Sequence, residues 1–130
     1  MPTIVVDTNV VLRYLLDDHP EWSQRAKLFW AGVRQGQQRV FLPEGVLVEC
    51  VYVLFKVYRV PRIELADRLL SFLEIPNLTA NSLPVLRTTL QLFRDHNVDL
   101  VDAVVLATAR VNHWDFESFD RDLHRMASTG

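Results

Sequence analysis

Cysteine is nearly absent from this 130-residue chain, and the single thiol, Cys50, cannot close an internal disulfide. Its neighbours Val48, Val51 and Val53, with no histidine nearby, mark a small buried side chain and not a nucleophile. Lysine is scarce too, present only at positions 27 and 56, so the basic side chains are almost all arginine. Arginine grips phosphate bidentately, yet the same bias can reflect genome composition. No apolar run approaches the roughly 20 residues that cross a bilayer, because Glu49, Lys56, Asp99 and Asp102 interrupt the longest ones. A charged leader is missing at the N-terminus and Asp7 breaks the only apolar run there, so no secretory signal is expected and a soluble cytoplasmic protein is. The formal net charge of -2 gives no global electrostatic footprint for nucleic acid, so any such binding must be local. Linkers, repeats and low-complexity segments are also missing. One domain over residues 1–130 is therefore expected, and with 49% hydrophobic residues it can bury a real core.

The apolar pattern alternates between strand and helix. Residues 3–6 (TIVV) read as a short strand buried on both faces of a parallel sheet. Asn9 to Leu16 carries helical spacing, and a second helix runs from about Pro20, tolerated in a first turn, to Gly36 beyond its end. RVFLP (39–43) reads as a second strand. From Glu44 to Tyr58 apolar positions cover almost the whole circumference, the mark of a helix in the core or at a subunit contact. RIELADRLLSFLEI follows Pro61 as an amphipathic helix, and NLTA (77–80) is a minimal third strand. Two helices are expected over Pro84 to Asp95 and Leu100 to Asn112, then a last strand in WDFESF (114–119) and a short helix from Arg121. Short apolar strands alternating with helices predict an α/β fold, helices packed on a central parallel sheet.

In such a fold the reactive edge lies at the C-terminal ends of the strands. Asp7 sits at that end of the first strand. It could cap the following helix, but Asn9 could share that task and free the carboxylate. Glu49 lies in VLVECVYVL, a helix with almost no polar side. A carboxylate buried there needs an arginine or a cation, because desolvating a lone charge costs several kcal/mol. Asp99 and Asp102 are three apart at a helix start and share one side of its first turn. A cap with an acidic partner explains Asp99 better than Asp102. Asp120, in SFDRDL, repeats the arrangement of Asp7, whereas Asp122 reads as a solvated first-turn acid. Crowded carboxylates repel one another unless a divalent cation compensates them, and oxygen ligands without thiolates or paired histidines select Mg²⁺ or Mn²⁺. His19, His96, His113 and His124 have no metal-ligand spacing and read as surface residues.

Four blocks, VVDTNVVLRYLLDD, FLPEGVLVECVYVL, VDLVDAVVLATA and FESFDRDLHRM, together resemble the PIN-domain family, specifically the VapC toxins of toxin-antitoxin pairs. The resemblance covers nearly the whole chain. It implies a three-layer α/β/α sandwich with a central parallel β-sheet and the activity of a metal-dependent endoribonuclease. It also implies RNA as substrate, a cognate VapB-like antitoxin as inhibitor, and a homodimer. The family's acids fall on Asp7, Glu49, Asp102 and Asp120 as catalytic residues and ligands of Mg²⁺ or Mn²⁺, with Thr8 or Asn9 shaping the site. Asp99 matches a position often acidic in relatives, a direct or outer ligand. Many relatives have a glycine before the final strand, and ARVNHWDFESFD departs from that pattern. The helix from Val46 to Tyr58 is core or a surface for a second copy or the antitoxin.

Two other readings stay beside this one. A non-catalytic PIN-like module binding RNA or a protein would not need all four acids. A phospho-acceptor receiver domain needs a lysine after its last strand, and both lysines lie before residue 57.

Overall fold

The computed structural model describes residues 1–129. Among them are three strands, β1 (Thr3–Val5), β2 (Arg39–Phe41) and β3 (Leu78–Thr79), and seven α-helices. The helices are α1 (Thr8–Leu16), α2 (Pro20–Arg34), α3 (Glu44–Tyr52), α4 (Arg62–Phe72), α5 (Leu83–Asp95), α6 (Leu100–Asn112) and α7 (Arg121–Ser128). The strands form one parallel sheet in the order β1-β2-β3, with Ile4 opposite Val40 and Phe41 opposite Thr79. This is an α/β sandwich on a parallel sheet, as the alternation of apolar strands and helices predicts.

Some helix ends have a readable local cause. Pro20 stands in the first turn of α2, and Gly36 follows the helix at φ 83°, a conformation glycine adopts without strain. Ser82 caps α5 through its hydroxyl, which accepts the Val85 N–H at 3.2 Å. The core between helices and sheet centres on Trp30, fully buried on α2. Its indole N–H donates to the Val10 carbonyl at 3.1 Å, and its ring meets Phe72 edge-on at 5.0 Å, so one side chain ties α1, α2 and α4 together. A second core joins α5, α6 and α7 through Val85, Leu92, Leu106, Leu123 and Met126. No described helix is long and apolar enough to cross a membrane.

Three expectations need correction. WDFESF forms no strand: after His113 turns left-handed at φ 56°, residues 114–118 run as a loop. Phe116 packs against the second core and the His124 ring, at 5.1 Å between centroids, instead of pairing along the sheet. In consequence β1 is an edge strand, not one buried on both faces, and Val5 is 65% exposed. The helix from Glu44 does not run uniformly to Tyr58: α3 passes into a wider π-turn over Val53–Val57, which leaves Lys56, Val57 and Tyr58 exposed.

Candidate metal-dependent nuclease site

The parallel sheet aims its strand ends at a common edge, and chain direction places Asp7 there. After β1 and the buried Val6, the chain reaches Asp7 and enters α1. After β2 it turns at Pro43 into α3, which carries Glu49. Asp99 and Asp102 begin α6, and Asp120 begins α7.

Asp7, and not Asn9, caps α1: its Oδ1 accepts the Val10 N–H at 3.2 Å, and the residue is otherwise exposed. Asp120 plays the same part for α7, accepting the Asp122 N–H at 2.8 Å. Each cap uses one carboxylate oxygen, Oδ1. Asp99 stands at the N-cap position of α6 without a capping bond, and its Oδ1 accepts the Tyr52 hydroxyl at 3.2 Å. Glu49 is exposed, so desolvation does not force a partner on it. The near-continuous apolar run hid that polar side, because the half-buried Val46 and Val48 are not fully enclosed either.

The acids fall into two groups by the side chain on which their charges act. Asp102 is half-buried, and its carboxyl is pushed above the usual aspartate value by burial first, then by the charge of Asp120 and of Asp99. Asp120 also lies within hydrogen-bonding reach of it. Asp7 and Glu49 form the second group, close enough to the buried Cys50 for their charges to act on it. Burial chiefly, then Glu49 and Asp7, push that thiol up to about 12 and hold it protonated. Tyr52 links the groups: it projects from α3, the helix of Glu49, and its phenol is pushed up by burial and by the bond to Asp99.

Among the described residues, none of Asp7, Glu49, Asp99, Asp102 and Asp120 forms a salt bridge. Asp17, Asp18, Glu64, Asp67, Asp95 and Asp122 all do. Glu21, Glu44, Glu74, Asp115 and Glu117 form none either, so it is the position of the five at helix starts and on α3, not the lack of a pair, that sets them apart; their oxygen-only donors suit Mg²⁺ or Mn²⁺. No three described His, Cys, Asp or Glu side chains stand close enough together to form a finished cation cage.

The chain matches the PIN domain family over residues 4–128. It belongs to the PIN-domain family. PIN domains are generally metal-dependent nucleases that use Mg²⁺ or Mn²⁺ and bind RNA, so the free carboxylates of this PIN domain stand in a nuclease family. No curated protein and no solved structure matches the chain.

Two side chains around the site have no motif in the sequence. Tyr52 looked like one more aromatic of an apolar helix. Arg62 is the other: its Nη1 donates to the carbonyls of Phe93, His96 and Val98 at 2.9, 3.0 and 3.1 Å. It also stacks on Phe93 at 3.9 Å. That clamp fixes the loop that delivers Asp99, and only the fold, which brings α4 beside the end of α5, reveals it.

Proposed function

We propose that this PIN domain is a VapC-like, Mg²⁺- or Mn²⁺-dependent endoribonuclease that hydrolyses RNA phosphodiester bonds and is neutralised by a cognate VapB-like antitoxin. The observation that carries the reading is the pair Asp102 and Asp120 at the starts of α6 and α7, where burial and the charges of Asp120 and Asp99 push the Asp102 carboxyl up. Asp7, Glu49 and Asp102 hold the cation, with Asp99 as a direct or outer ligand through its contact with Tyr52. Asp120 completes the site or orients the attacking water. When bound, the cation activates water and neutralises charge building on the phosphate. The chain's own part is to hold these acids at the starts of α1, α6 and α7 and on α3, so that one ion could be shared. Tyr52 orients Asp99, and Asp7 gives one oxygen to the α1 cap. A homodimer in the cytoplasm is part of the same reading.

Incubation of the protein with single-stranded RNA and Mg²⁺ tests it. Cleavage that EDTA stops and that Asp102→Asn removes, with the helical signal intact, is the expected result. Cleavage indifferent to both would sink the site assignment. A non-catalytic RNA-binding module is the second reading, favoured by the unfinished cage; binding without cleavage in Mg²⁺ and in Mn²⁺ selects it.

A further inference from the structure

A cleft of about 590 Å³ opens between α1 and α2, and Asp7 forms part of its wall. Its other walls include Arg13, His19, Trp22, Arg25 and Phe29. The two arginines differ. Arg13 is tied to Asp18 at 2.6 Å, whereas Arg25 has no carboxylate partner among the described residues and lies over the Trp22 ring at 4.8 Å. Trp22 is 48% exposed, an unusual position for the largest apolar side chain, and the His19 ring tilts toward it at 6.3 Å. The local chain makes this platform rigid: His19 caps α2 by accepting the Trp22 N–H at 3.1 Å, and Pro20 fixes the first turn.

An exposed indole beside an uncommitted guanidinium matches one ligand chemistry well. Unpaired bases stack on aromatic faces, and the phosphates between them take arginine. A duplex keeps its base faces covered and cannot use the indole. Asp7 is the sole carboxylate among the described lining residues, so away from the acid edge the cleft favours a polyanion. We propose that the α1–α2 cleft is a subsite for single-stranded RNA, in which Trp22 stacks on one unpaired base and Arg25 takes a phosphate of the same strand. The identity of the strand as RNA rests on the nuclease reading. The subsite delivers the strand to Asp7, so the base it holds lies close to the bond that is cut and contributes to the choice of cleavage position.

Fluorescence anisotropy of a labelled short single-stranded RNA with the full chain, in EDTA so that no bond is cut, tests the subsite. Trp22→Ala weakens binding by about tenfold or more, the scale of one lost base stack, while Trp22→Phe keeps most of the affinity. Arg25→Gln lowers the slope of log affinity against log salt by about 0.7, one phosphate contact on a single strand. Trp114→Phe, at a still more exposed indole in the loop before α7, leaves both unchanged. Parental affinity and slope in Trp22→Ala and Arg25→Gln overturn the proposal, and a cleft built for a peptide gives that result. Failure of the wild type to bind the RNA overturns it as well. The two readings fail separately. Trp22-dependent binding with no metal-dependent cleavage removes the nuclease and keeps the subsite; cleavage that needs Asp102, with binding indifferent to Trp22, does the reverse.

Discussion

The carboxyls of Asp102 and Asp120, from the starts of two different helices, stand within hydrogen-bonding reach of each other. Two such groups do not both ionise without cost, and burial together with Asp120 and Asp99 raises Asp102 above its usual value of 3.8. An ionised Asp102 thus carries a local electrostatic penalty.

The sign of the linkage follows. A carboxyl raised on folding binds its proton more tightly in the native state, so the native state is favoured below the usual aspartate range and loses that advantage as pH climbs to the raised value. Asp102→Asn removes the penalty. In chelator at neutral pH it is expected to melt at a higher temperature than the parent, with the gap closing at acid pH, although it cleaves no RNA. Thermal melts across pH check this, and a parent more stable than the variant at neutral pH would count against the repulsion.

Asp7 has two duties that substitution separates. Asp7→Asn keeps an oxygen for the Val10 N–H and removes the charge, whereas Asp7→Ala loses both. Urea unfolding should find Asn within a few tenths of a kcal/mol of the parent and Ala destabilised by about 1 kcal/mol, the usual worth of an N-cap. Both variants lose RNA cleavage. Cleavage retained by Asp7→Asn would reduce Asp7 to a cap.

Arg62 holds the loop ahead of Asp99 by three carbonyl bonds and a stack on Phe93. Arg62→Ala leaves those carbonyls short of a donor and is expected to cost roughly 2–4 kcal/mol in chemical denaturation. Arg62→Lys keeps the charge without the planar fork and recovers only part of it. A loss below about 0.5 kcal/mol, the range of ordinary surface changes, would show the clamp to be idle.

Periodicity carried most of this fold. The span Leu100–Asn112 and the Pro20 start of α2 were legible because apolar spacing and a proline mark them locally. WDFESF was misread because alternation records only that a segment could pair; Phe116 found a better-buried place beside His124 than the open edge of β1. The acids stood out by residue type, but burial did not: Glu49 sits among valines and is still exposed. Arg62 lacks any local signature, since its meaning comes from α4 brought beside the end of α5; Trp22 and Arg25 pair locally, three apart on α2, but the cleft they line comes from α1 packed on α2.

Whether the two acid groups share one cation is settled most directly by calorimetric titration of Mn²⁺ into the parent, Asp7→Asn and Asp102→Asn. A shared site predicts a binding event in the parent that is lost or greatly weakened in both variants, one altered on α1's side and the other on α6. Binding in Asp7→Asn indistinguishable from the parent would contradict a site that joins the two groups.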